Sequence, residues 1–168
     1  EITGNKAITS CVELMPNGHT LVIGTTQDHP LYVMDTIGWM VVRTIDVHGY
    51  YAGPEVRASA KGNLLLLRQR FYLDFRANQD REVRHEVVDF ASGRVLVEVG
   101  KAHDAAISPD ETRLYSLEGE DVTVRSLPDG KVIGRIAVAQ TRNSLALSPD
   151  GQMIAVAHRP TAEQVAYR

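Results

Sequence analysis

The side chains with the chemistry for a site fall in three short stretches. His48 stands close to Tyr50 and Tyr51, His103 is followed directly by Asp104, and Arg142 is followed by Asn143. Imidazole, phenol and carboxylate groups transfer protons or bind metals. A metal centre needs three or more converging ligands, and these stretches offer two histidines. The plainer reading makes His103-Asp104 a local hydrogen bond at a chain junction, and His48 and the tyrosines surface loop residues. The sequence contains no nucleophile elbow, Walker loop, dinucleotide fingerprint, paired-cysteine zinc spacing or zincin helix. His85-Glu86 lacks the second histidine of the zincin pattern and falls on an expected strand. No catalytic residue, metal set or cofactor is therefore assigned.

What positions these residues is a turn that recurs. Met15-Pro16-Asn17-Gly18, Ser59-Ala60-Lys61-Gly62, Ser108-Pro109-Asp110-Glu111 and Ser148-Pro149-Asp150-Gly151 follow one another at intervals of roughly 40 to 49 residues, a repeat-scale period. Proline presets φ for the turn, Asp or Asn bonds the backbone two residues on, and glycine accepts the left-handed conformation that returns the chain. Each copy is expected to be a hairpin between antiparallel strands. The second copy has Ala60-Lys61 for Pro-Asp. The third has Glu111 for glycine, which must take a positive φ at some cost or use another turn.

About four short strands per period give the signature of β-propeller blades. Four blades are expected, at about 7–47, 54–99, 103–138 and 143–168, the last offering a third strand at 163–168 and no fourth. The run Leu21-Val22-Ile23 is continuous because an inner strand is covered on both faces. Trp39, in the turn after Thr36 to Gly38, is expected to pack. Cys11 is the only cysteine and reads as a buried small hydrophobe.

The segment from Leu31 through Tyr32-Val33-Met34-Asp35 to Val47 resembles the third and fourth strands of a YVTN-type or Trp-Asp-type propeller blade. Glu86-Val87-Val88-Asp89 with Gly93, and Val122-Thr123-Val124-Arg125 with Gly130, are its later copies. No copy carries the Trp-Asp dipeptide itself, which favours the YVTN-like group, similar to the propellers of quinoprotein amine dehydrogenases. The resemblance implies an all-β propeller of about three and a half blades. It also implies that His48, Tyr50, Tyr51, His103, Asp104, Arg142 and Asn143 lie in connections around a central channel, where such enzymes bind ligands and metals.

The second blade departs from the pattern. Its second and third strands are expected to run on, through Phe75 and Arg76, into a hairpin that projects from the blade, with a polar tip at 77–80. Phe71, Leu73 and Phe75 would share one face and Arg70, Tyr72, Asp74 and Arg76 the other. Five arginines and three aromatics between residues 68 and 84 invite a nucleic-acid reading. Asp74, Asp80 and Glu82 cancel much of that field, so a hairpin laced with ion pairs, or an interface through Phe71, Leu73 and Phe75, is the expectation.

At 168 residues with 43% hydrophobic side chains, the chain is long enough for one domain with a sizeable core. A net charge of −3 gives no general attraction to nucleic acid or anionic membranes, and no apolar run is long enough to span a bilayer. No nucleic-acid or membrane partner is expected. Three and a half blades do not close a ring of four to eight. The chain, which starts at Glu1, is expected to be a piece of a longer protein; it could otherwise pair with a second copy or close as a small ring. Without a visible signal segment no compartment is fixed, with a lean to a bacterial extracytoplasmic one. The expected function is a non-catalytic propeller segment that binds a protein partner or the remaining blades; the alternative is part of a dehydrogenase-like or lactonase-like propeller enzyme with its site at the channel.

Overall fold

A computed structural model describes residues 9–26, 30–47, 53–74, 79–138 and 142–158, with backbone only at 70–74, 79–82, 142, 143 and 158. The described elements are all strands. β1 (Thr9–Leu14), β2 (Thr20–Thr25), β3 (Leu31–Asp35) and β4 (Met40–Ile45) form one sheet in chain order. β5 (Glu55–Ala58), β6 (Leu64–Asp74), β7 (Gln79–Asp89) and β8 (Val95–Gly100) form the second. β9 (Ala105–Ile107), β10 (Arg113–Glu118), β11 (Asp121–Ser126) and β12 (Val132–Ala137) form the third, and β13 (Arg142–Leu147) pairs with β14 (Ile154–His158). Every pairing is antiparallel between consecutive strands. This is a β-propeller of about three and a half blades.

The four turns share one set of bonds. In each, the N–H of the fourth residue donates to the carbonyl of the first: Gly18 to Met15, Gly62 to Ser59, Glu111 to Ser108 and Gly151 to Ser148. Glu111 takes φ 64°, alongside 76° at Gly18 and 70° at Gly151, so the positive-φ alternative is the one adopted.

Alternation along the inner strands sends neighbouring side chains into different cores. Leu65 and Leu67 join Met15, Val22 and Val33 between the first and second blades. Leu64 and Leu66 join Val99, Ala105 and Leu114 between the second and third. Tyr115, Leu117 and Val124 pack with Leu145, Leu147 and Val156 between the third and fourth. The four consecutive leucines are thus two alternating pairs with opposite partners. Each leucine taken fully out of water contributes about 2 kcal/mol.

Three expectations change. Trp39 is 73% exposed at φ 52°, so it does not pack within the chain. It follows Asp35 by four residues, as Gly93 follows Asp89, and it holds the left-handed position that Gly93 and Gly130 hold in their blades. Cys11 is half-buried against the first core rather than fully enclosed. Gln79 and Asp80 belong to β7 rather than to a tip, because β6 and β7 pair out to Asp74 opposite Gln79. The expected strand residues Phe75 and Arg76, and the proposed strand at 163–168, lie outside the described residues.

Candidate functional site

The propeller has two working ends. One carries the four repeated turns; the other carries the blade-to-blade connections and the root of the β6–β7 hairpin.

At the turn end, the two sequence departures answer one another. In the third and fourth turns, the Asp at the second-last position accepts both from the turn serine and from the N–H two residues on: Asp110 Oδ1 from Ser108 Oγ (2.5 Å) and Thr112 N (3.1 Å), Asp150 Oδ1 from Ser148 Oγ (2.5 Å) and Gln152 N (3.0 Å). These bonds hold Asp110 down to about 2, with Ser108 the largest contributor. The second turn has Lys61 there and cannot supply a carboxylate. Glu111 supplies it from the next blade: its Oε1 accepts from Ser59 Oγ (2.5 Å) and Asn63 N (3.3 Å), and its Oε2 from Asn63 Nδ2 (2.8 Å). Burial pushes the Glu111 carboxyl up, and the bonds from Ser59, Asn63 and Lys61 together carry it below its ordinary value.

The connection end is organised by Asp104. Its backbone is zipped to the end of β10, where Leu117 N donates to the Asp104 carbonyl (2.9 Å) and His103 N to the Leu117 carbonyl (2.8 Å). Its buried carboxylate accepts from Leu145 N (2.9 Å) and Ser144 Oγ (3.2 Å) of the fourth blade, and lies 3.5 Å from Arg57 Nη1 of the second. A single aspartate thus ties three blades. Sequence reasoning placed Asp104 at a junction with a local partner in His103; the carboxylate accepts locally from Ala105 N (2.9 Å), and its remaining partners come from other blades. His103 itself is exposed.

Sequence reasoning missed His85. It is 1% exposed, and neither ring nitrogen has a hydrogen-bond partner among the described residues. Burial lowers its pKa to about 4, which Asp104 opposes and Arg68 reinforces. Below it, Arg68 pairs with Glu55 (3.2 Å), Arg84 with Glu98 (3.1 Å), and buried Gln69 donates to Glu86 (2.8 Å). The signal was its spacing: His85 alternates with buried Val87 and so belongs to a covered face.

Arg142 and Asn143 begin β13, with Arg142 opposite His158, and only their backbone is described. The same holds for Phe71 and Leu73 in β6. His48, Tyr50, Tyr51 and Phe75 lie outside the described residues. The inner strands border a groove of about 440 Å3, lined by Arg57, Ala105, Ile107, Leu145 and Leu147 among others. Its hydroxyls at Ser59 and Ser148 are engaged with Glu111 and Asp150, and among the described residues that line it Arg57 is the only charged one. Among the described residues no three His, Cys, Asp or Glu side chains converge on a common point.

No protein-family model and no curated protein matches the chain. Solved structures do match. Hydrazine synthase from Kuenenia stuttgartiensis is similar at 16% identity and a TM-score of 0.62, over 88% of this chain and 55% of that one. The β-propeller domain of Cps50 (Swd1) from Myceliophteria thermophila is similar at 13% identity and a TM-score of 0.65, over 91% of this chain and 48% of that one. Likeness at these identities concerns the propeller fold. The chain spans about half the length of the structures it matches.

Proposed function

We propose that this chain is a non-catalytic propeller segment that binds a protein partner through the connection end, with the β6–β7 hairpin as its main contact element. The observation that carries this is the length of that hairpin: β6 and β7 have 11 residues each, whereas the other strands have 6 or fewer. Strands that outrun their blade by about five residues carry their backbone beyond the sheet, where a ribbon is a ready binding element. Phe71, Leu73 and Phe75 are its contact residues. In support, Asp104 at the connection end and Glu111 at the turn end are engaged in joints between blades, Asp104 with Leu145 and Glu111 with Ser59. Substituting Phe71 and Phe75 by Ser tests the reading: association is lost while the chain stays folded, and unchanged association removes the hairpin as the interface.

The alternative is a propeller enzyme with a channel site that includes His48, Tyr50, Tyr51, His103, Arg142 and Asn143. Its support is the similarity to hydrazine synthase, which is an enzyme. Metal analysis and an absorption spectrum of the purified protein separate the two: a bound metal or chromophore in stoichiometric amount favours the enzyme.

A further inference from the structure

The β6–β7 hairpin outruns the strands on either side of it. β5 pairs with β6 only as far as Glu55 opposite Arg68, whereas β6 pairs with β7 in unbroken register out to Asp74 opposite Gln79. The reason β5 stops is local. The next hydrogen-bonded pair would set Gly53 opposite Arg70, and Gly53, at φ 29°, has left the extended conformation. Pro54 brings no N–H to the ladder, and its carbonyl accepts from Ser10 Oγ of the first blade (3.3 Å). On the other side the ladder closes where Lys101 N donates to the Val83 carbonyl (3.0 Å), and Lys101 turns away at φ 61°. Past these points the hairpin is a two-stranded ribbon whose edges are bare among the described residues, and such a ribbon is marginal until a further strand joins it.

The two edges differ. Ser59 N donates to the Leu64 carbonyl, so the even-numbered residues of β6 turn their backbone groups toward β5. Carried along the strand, the bare edge of β6 presents the N–H and carbonyl groups of Arg70, Tyr72 and Asp74. By the same alternation the bare edge of β7 presents those of Gln79 and Arg81, since Val83 is engaged.

A two-fold axis perpendicular to the sheet pairs an edge with its own copy in antiparallel sense and keeps each residue on its face. On β6, with the axis at Tyr72, this sets Arg70 opposite the partner's Asp74, Phe71 opposite the partner's Leu73 and Tyr72 opposite the partner's Tyr72. Opposite charges, and apolar residues, then stand directly across the joint, which stabilises a sheet. With the axis at Phe71, Asp74 would need Arg68, whose edge β5 already fills. The β7 edge does not answer itself. An axis at Asp80 sets Asp80 opposite Asp80, and one at Arg81 sets Arg81 opposite Arg81 and Asp80 opposite Glu82, like charges each time.

We infer that a second copy of this chain fills the β6 edge, the two β6 strands running antiparallel about a two-fold axis at Tyr72 so that two hairpins form one four-stranded sheet. This rests on the hairpin as the contact element and gives that element its partner. The occupant is a second copy because the run Arg70-Phe71-Tyr72-Leu73-Asp74 is complementary to itself read backward, in charge and in apolar pattern, at the register where its outward backbone groups meet.

Charge exchange tests the register. The full-length protein is measured by sedimentation equilibrium over a dilution series, beside Arg70→Asp, Asp74→Arg, the double variant, and an equal mixture of the two single variants. Within the hairpin, positions 70 and 74 stand opposite Val83 and Gln79, so the exchanges set no like charges across its own pairing. The parent is expected to reach a mass of two chains and no higher multiple, because an isologous pair is closed. Each single exchange sets like charges opposite at both ends of the joint and weakens the pair by about tenfold or more. The double variant and the mixture restore it. Amide exchange reads the backbone: on dilution to single chains the amides of Arg70, Tyr72 and Asp74 become fast, while those of Phe71 and Leu73, which turn toward β7, stay slow. A single-chain mass at every concentration, masses above two chains, or single exchanges that pair as tightly as the parent overturn the second copy. A single-chain mass combined with binding of a different protein that Phe71→Ser and Phe75→Ser abolish overturns it too, and leaves the hairpin's role as contact element standing.

Discussion

The carboxylate of Glu111, in the turn of the third blade, accepts the hydroxyl hydrogen of Ser59 in the turn of the second at 2.5 Å. It occupies the place that Asp110 and Asp150 occupy within their own turns, and so replaces the aspartate that Lys61 displaces. The positive φ of Glu111, which costs about 1 kcal/mol or more for a residue with a side chain, is offset by bonds to a charged acceptor.

The two departures therefore compensate and predict a double-mutant cycle. Glu111→Gly relieves the backbone but strips the second turn of its acceptor, and costs about 1–2 kcal/mol. Lys61→Asp sets a second carboxylate beside Glu111 and costs about 1 kcal/mol through like-charge repulsion. Together they restore the pattern of the fourth turn, and the double variant lies within about 0.5 kcal/mol of the parent. Urea unfolding of the four proteins checks this; additive costs contradict the cross-blade exchange.

His85 predicts acid sensitivity. Its folded pKa, lowered to about 4 by burial from the ordinary 6.5, means that the unfolded chain binds the proton more readily. Stability from this group is fully present above about 6.5 and falls as pH drops from there toward 4, by up to roughly 3 kcal/mol. Asp104, Arg68, Arg57 and Glu55 are the charged groups whose fields act on it. In His85→Leu the slope of unfolding free energy between pH 6.5 and 4 is shallower than in the parent.

Asp104→Ala removes the acceptor of Leu145 N and the counter-charge of Arg57. A buried donor left unsatisfied costs about 2 kcal/mol. The loss is local to the joint of the third and fourth blades, so the Leu145 amide exchanges about thirtyfold faster while amides of β2 and β3 are unchanged. Uniform acceleration across the chain would contradict a local joint.

The fold was legible because the turn chemistry repeats: proline, Asp or Asn, and glycine mark the first and fourth inner hairpins in full and the second and third in part. What could not be read were relations between blades. Lys61 and Glu111 each look like a defect when their turns are taken singly, and only the ring geometry brings them together. Asp104 was placed at a junction from its neighbour His103, whereas its carboxylate serves Leu145, 41 residues on. Trp39 could have been caught by aligning Asp35 with Asp89, which puts the tryptophan under Gly93.

The hairpin as a binding element is tested most directly by site-specific photo-crosslinking in cells that express the full-length protein. A photoreactive phenylalanine analogue is placed at Leu73 in β6 and, for comparison, at exposed Thr112 in the turn at the other end of the third blade. The account predicts a discrete higher-mass adduct from position 73 and none from position 112. An adduct at position 112 with none at position 73 would contradict it.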